Sequence, residues 1–267
     1  MVTHRLIACL LWRDGMLVQS QGFVHTNSVG NAYTAIDFFN TWAIDEIVLL
    51  DVTREPADRE RFHRDLRELS KRCFVPLAVG GWVTTLEEVR LLLTEGADKV
   101  VVNTAAVENE SFVQDAAKRF GAQCIVLSID AKRNGNGAHV VYIDRGRKQT
   151  RWSAVDWAQR AQKLGAGEIF LTSIDADGGR KGYDVDLVHS VSNAVSIPVV
   201  ASGGVGDWKH FAEGITAGAS AVSAANIFHY SEQSTKKAKN YLFGKGFNVR
   251  KPEFYNILLP RKPIYRV

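Results

Sequence analysis

The chain has 267 residues, 46% of them hydrophobic, enough for one large core, and α/β barrels of roughly 250 residues are single units. A formal charge of +4, on Lys and Arg residues scattered rather than striped, gives no indication of nucleic acid as a partner. Cys9, Cys73 and Cys124 form neither a CxxC pair nor an even disulfide framework, and no run of about eighteen apolar residues offers a membrane span, so a soluble cytoplasmic protein with reduced thiols is expected.

In chain order, short apolar segments alternate with amphipathic ones. LIACLL, EIVLLDV, PLAVGG, KVVVNT, CIVLSID, EIFLTSID, PVVASGG and AVSAAN read as strands, separated by helical stretches such as DRERFHRDLRELSKR and TLEEVRLLLTEG. Strands alternating with helices in this way predict a closed parallel (β/α)8 TIM barrel. The pattern repeats at half the chain length. Residues 76 to 105 align with 198 to 227, DEIVLLD at 45 to 51 with GEIFLTSID at 167 to 175, and LIACLL at 6 to 11 with IVLSID at 125 to 130. Two half-barrel repeats therefore fill residues 1–250, and 251–267 form a C-terminal tail. The tail's prolines and aromatics carry no helical period, which leaves two readings, a strap packed on the barrel or a segment that docks a partner.

In this fold the chemistry sits at the C-terminal ends of the strands, and phosphate is commonly held by the last two βα loops. Ser202-Gly203-Gly204 and Ala225-Asn226 stand at those loops and offer backbone N–H groups, glycine letting an anion approach closely. The half-repeat puts Gly80-Gly81 and Asn103-Thr104 at the matching positions across the mouth, and Gly178 adds a further loop. Each glycine pair alone also reads as an ordinary turn. Together they suggest two anion sites flanking the axis, suited to a ligand phosphorylated at both ends. Asp130 ends the fifth barrel strand and points either at that axis, as an acid/base group, or into the following loop as a cap. Its half-repeat counterpart is Leu11.

At the opposite end, Arg5, Glu46, Lys99 and Glu168 begin four strands. Alternation places Arg5 on the side of Cys9 and Leu11, and Lys99 on the side of Asn103, so if the latter residues face the mouth, both cations face inward at the floor. An exposed ring of strand-start salt bridges is the alternative.

The motifs RLIACLLWRDG, DEIVLLDVT, ADKVVVNTAAVEN, IDAKR, GAGEIFLTSIDADG, GYDVDLV and VASGGVG resemble the cyclase subunit of imidazole glycerol phosphate synthase over roughly residues 4 to 250. The resemblance implies a subunit that takes ammonia from a glutaminase and joins it to an elongated bisphosphate, giving imidazole glycerol phosphate and an aminoimidazole ribotide. It makes Asp130 one of two catalytic aspartates, and puts Asn103, Thr104, Gly178, Gly204 and Ala225 on phosphate loops. Arg5, Glu46, Lys99 and Glu168 become an ammonia gate above the docked glutaminase. No cofactor and no metal are implied.

Departures from that pattern lie at the mouth. Leu11 replaces the other aspartate, Gln19 a lysine on the first loop, Trp82 a third glycine and Asn226 a serine. Leu11 cannot move a proton, and a positioned acid/base group contributes about 10² to 10⁴ in rate, so weak or absent cyclase activity is expected. The pattern is similar to an offshoot of the cyclase family found with a glutaminase-like partner and an ATP-dependent amidotransferase in the acetamidino modification of bacterial surface sugars. On that reading the barrel passes ammonia onward, and an ATP-dependent sugar amidotransferase is its second partner. This chain has no P-loop of its own. The alternative is an authentic cyclase of histidine biosynthesis; a related sugar-phosphate isomerase would have no use for an ammonia gate.

Overall fold

The computed structural model describes residues 3–54, 59–230 and 234–251. The chain opens with β1 (Arg5–Arg13), a hairpin of β2 (Met16–Gln21) and β3 (Val24–Gly30), and α1 (Ala32–Thr41). Then come β4 (Glu46–Asp51), α2 (Arg59–Ser70), β5 (Leu77–Gly80), α3 (Leu86–Thr94), β6 (Lys99–Val102), and the helices α4 (Thr104–Glu108) and α5 (Ser111–Phe120). The second half repeats the plan with β7 (Ile125–Arg133), a hairpin of β8 (His139–Ile143) and β9 (Lys148–Ser153), and α6 (Ala154–Leu164). It finishes with β10 (Glu168–Ser173), α7 (Val185–Ala194), β11 (Val199–Ser202), α8 (Trp208–Thr216), β12 (Ala221–Ala224) and α9 (Ser234–Gly244).

Strands β1, β4, β5, β6, β7, β10, β11 and β12 pair in parallel in that order, and β12 pairs back onto β1 to close the eight-stranded barrel. Strands such as EIVLLD read as continuous apolar runs because both of their faces are covered. One face meets the helix layer, where Leu10, Trp12, Phe62, Leu127, Trp157 and Phe211 belong to the larger core. The other meets the axis, where Ile7, Val48, Val101, Val126, Phe170 and Val200 form a separate inner cluster with Cys9, partly flanked by Leu11 and Leu50. Small residues let the strands converge: a Cβ on Gly80 would lie 2.7 Å from the Val101 carbonyl. Helix starts are fixed locally. Thr85 and Glu88 make a reciprocal capping box on α3, and the Ser153 and Asp184 side chains cap α6 and α7.

The structure corrects the placing of Asp130 and Leu11 at strand ends. Neither Leu11 nor Asp130 ends its strand, because each strand continues by pairing antiparallel with the hairpin that follows it: Leu11 lies opposite Val18 and Asp130 opposite Tyr142. Residues 14–30, the first loop of the family pattern, thus form a hairpin. The tail lies outside the described residues apart from Lys251. Just ahead of it, Val249 bridges His4, and Arg250 and the fully buried Lys239 both reach Asp45 at the barrel floor. Among the described residues no helix is long and apolar enough to cross a membrane.

Candidate active site

The floor is built by four strand-start side chains that alternation turns inward. Each carboxylate uses both oxygens: Glu46 binds Arg5 through one and Lys99 through the other at 2.8 Å, and Glu168 does the same, again 2.8 Å from Lys99. Four charges therefore close a cycle of alternating sign. The carboxylates are buried, with side chains 3% and 8% exposed, while Arg5 and Lys99 retain 28% and 20%. Burial alone would push Glu168 up, but Arg5 and Lys99 outweigh it and hold its pKa below the usual carboxylate value. Burial likewise disfavours the Arg5 cation, and Glu168 and Glu46 overcome it to raise its pKa. Such a ring is costly to desolvate, so its stability depends on its completeness.

At the mouth, the inward parity of β7 sends Asp130 to the axis. Its carboxylate accepts from the Asn103 Nδ2 at 2.7 Å and the Ser128 hydroxyl at 3.0 Å. Desolvation nevertheless dominates, with the nearby Asp177 adding to it, and the pKa is pushed up to about 6, within the range of a working acid or base near neutral pH. Leu11, on β1, also faces the inner cluster and supplies no partner for a proton. Burial raises the Cys9 thiol to about 12, so it stays protonated and is no nucleophile.

Two roofs cover the mouth. The β2–β3 hairpin crosses toward the ends of β12 and β10: Gln19 exchanges hydrogen bonds with the Tyr230 hydroxyl, Asn226 Nδ2 approaches the Ser20 carbonyl at 3.5 Å, and the Gly22 and Phe23 amides donate to the carbonyl and carboxylate of Asp177. Gly178 is required beneath it, since a Cβ there would meet the Ser20 carbonyl at 2.3 Å. The β8–β9 hairpin mirrors this over the other half. The Asp144 amide donates to the Thr104 hydroxyl at 3.1 Å, and Arg145 reaches the Thr53 and Arg54 carbonyls beyond β4. The tips face one another: a Cβ on Gly146 would lie 3.0 Å from the Phe23 ring.

The glycine turns occupy the expected strand ends. The amides of Gly203, Gly204, Ala225 and Asn226 have no acceptor among the described residues, leaving a nest of donors suited to an anion. Opposite them, Gly81 fits where a Cβ would strike the Asp51 carbonyl at 2.2 Å, and Arg59 holds both its carbonyl and Asp51. The Trp82 ring is turned to the Thr53 carbonyl, 3.0 Å from its Nε1, with the Arg145 guanidinium stacked on it. Sequence reasoning missed Asn103 and Ser128 as ligands of Asp130, Asp177 as the anchor of the first roof, and Arg145 as that of the second. The Asp14-Gly15 turn and the Asp144-to-Gly146 turn were the available signals. Among the described residues no cluster of potential metal ligands occurs.

Fold and mouth define the class: a (β/α)8 barrel of two matched halves, whose polar groups converge on the axis at the C-terminal ends of its strands. A family model described as histidine biosynthesis protein matches residues 5–234, and the chain belongs to that family.

Proposed function

We propose that this chain is the barrel subunit of a glutamine-dependent amidotransferase complex. A glutaminase docks at the floor, ammonia enters through Arg5, Glu46, Lys99 and Glu168, and it leaves at the mouth for an ATP-dependent sugar amidotransferase of surface-polysaccharide synthesis. The observation that carries this reading is the pairing of a complete floor ring with a mouth where Asp130 faces the axis and Leu11 holds the matching place. The inner layer of Ile7, Val48, Val101, Phe170 and Val200 supports it, because an apolar passage penalises ammonium and admits neutral ammonia. Asp130 and the phosphate loops at Gly81, Asn103, Thr104, Gly178, Gly203, Gly204, Ala225 and Asn226 then serve a phosphorylated small-molecule ligand.

The test is ammonia-dependent turnover of the cyclase's bisphosphate intermediate by purified protein, together with identification of co-purifying proteins. Negligible turnover and recovery of a glutaminase with a sugar amidotransferase are expected. Turnover at an ordinary cyclase rate would overturn the reading. One observation favours the second reading, a working cyclase of histidine biosynthesis: Asp177, its pKa raised by burial, lies near enough to Asp130 to influence it. Its carboxylate already accepts from the Phe23 amide at 3.0 Å. If Asp177 replaces the missing aspartate, Asp177→Asn lowers turnover by at least about 10²-fold.

A further inference from the structure

On alternate strands the inward side chains can be followed level by level. β4, β6 and β10 begin with Glu46, Lys99 and Glu168 of the floor ring, and a period of two puts Val48, Val101 and Phe170 next above them. β12 is the half-repeat counterpart of β6, so Ala221 answers Lys99 and Ser223 answers Val101. Ala221 belongs to the inner cluster and Ala225 packs against it, whereas Val222 and Ala224 join the core beneath the helices. The Ser223 side chain, between Ala221 and Ala225 in the alternation, therefore faces the axis, and it is fully buried.

Ser223 thus interrupts an apolar level with a hydroxyl. Its Oγ has no hydrogen-bond partner among the described residues. The Ser128 hydroxyl, which also faces inward, is by contrast engaged with Asp130. A buried hydroxyl left alone forfeits the hydrogen bonds it had in water, and native interiors keep few such groups unless a small molecule completes them. Serine also loosens the packing here, with one oxygen where its counterpart carries two methyl groups. Nearer the mouth, Asn103 Oδ1 is likewise buried and without a partner, while its Nδ2 donates to Asp130.

We propose that the Ser223 hydroxyl is a binding station for a single molecule of ammonia, set between the floor ring and Asp130. This rests on the ammonia-conduit reading. The hydroxyl donates to the ammonia lone pair, and Asn103 Oδ1 accepts an N–H at the exit. Val48, Val101 and Phe170, the companions of Ser223 at its level, carry no charge, so an ammonium ion finds no counter-ion there. A molecule crossing this layer would otherwise surrender all its hydrogen bonds at once, and the station returns one on the way.

The test is the thermal midpoint of the full chain in about 1 M ammonium chloride against the same concentration of tetramethylammonium chloride, at about pH 10 and at about pH 7.5. Ammonia is largely neutral at the higher pH and nearly all ammonium at the lower. The quantity read is the gain from ammonium chloride at the higher pH minus the gain at the lower, which removes general salt effects. A ligand of the folded state alone, at about ten times its Kd, raises the midpoint of a chain this size by about 3 °C. The wild type is expected to show this gain. Ser223→Ala and Ser223→Val, the latter copying Val101, are expected to show none.

A wild-type gain below about 1 °C overturns the proposal, since a ligand at ten times its Kd would exceed it. A gain that either variant keeps also overturns it, because ammonia then binds elsewhere. Recovery of a glutaminase with the chain, and coupling of glutamine hydrolysis to amidation in that complex, keep the two readings apart. A gain lost in both variants, with no glutaminase recovered, removes only the conduit reading. A coupled complex whose barrel shows no gain removes only the station.

Discussion

Floor and mouth of this barrel treat charge in opposite ways. In the floor ring of Arg5, Glu46, Lys99 and Glu168 every ionised group has two partners, and the ring is electrically complete. At the mouth Asp130 is desolvated by burial, its two neutral hydrogen-bond donors offset this only in part and a second carboxylate lies nearby, so it holds its charge reluctantly. The difference teaches where each region is vulnerable. A self-neutralising ring fails when one member is removed, while an unmatched acid is a site of tension that substitution can relieve.

The largest expected effect comes from breaking the ring. Arg5→Ala leaves two buried carboxylates to share Lys99, a loss of about 3 to 5 kcal/mol, lowering the thermal midpoint by roughly 10 °C at pH 7. Because the folded pKa of Glu168 is depressed, its stabilisation is present above the unfolded carboxylate pKa and lost as pH falls through the folded one. The gap between variant and wild type therefore narrows on acidification, and an unchanged midpoint at pH 7 would show that the ring is not structurally coupled to the fold. Restoring the mouth is next: Leu11→Asp with Trp82→Gly is expected to raise ammonia-dependent cyclase turnover by about 10²-fold, with Leu11→Asp alone giving much less.

A third experiment addresses Asp130 directly. Its folded pKa of about 6 lies above the ordinary value of 3.8, so between these values the native state binds more protons than the unfolded one. Stability then falls as pH rises from about 4 to 6, and the penalty is complete above that window. Asp130→Asn is expected to gain about 2 kcal/mol on the wild type between pH 4.5 and 7.5, allowing for partial exposure and a weaker acceptor. Parallel stability profiles across that range would contradict a raised pKa. The smallest effect belongs to the roof. Tyr230→Phe removes the partner of Gln19, worth about 1 kcal/mol, and is expected to accelerate amide exchange at Ser20 and Gln21 about fivefold, as read by hydrogen exchange.

Much of the barrel was legible because its strands are covered on both faces and read as unbroken apolar runs. The floor was legible for a related reason: a period of two fixes which side of a strand Arg5 and Lys99 must share with Leu11 and Asn103. The hairpins were not. Their strands, such as VHTNSVG and KQTRWS, are largely polar and only partly buried, so no apolar pattern announces them. The partners of Asp130 illustrate a second limit. Asn103 comes from the neighbouring strand end, 27 positions away, and only the parallel pairing of β6 with β7 makes it a ligand. Trp82 was recognisable as a departure, but the direction of its ring depends on Thr53 and Arg145, which lie in different loops.

The meeting of the hairpin tips, Phe23 against Gly146, has a consequence for timing. A small neutral amine emerging beneath a closed roof stays out of bulk water until the roof parts, and bulk water is where it would pick up a proton and lose its nucleophilicity. If ammonia travels this barrel, the hairpins act as a shutter, and the moment of their opening, set by whatever docks above them, decides whether a nucleophile or an inert cation is handed on.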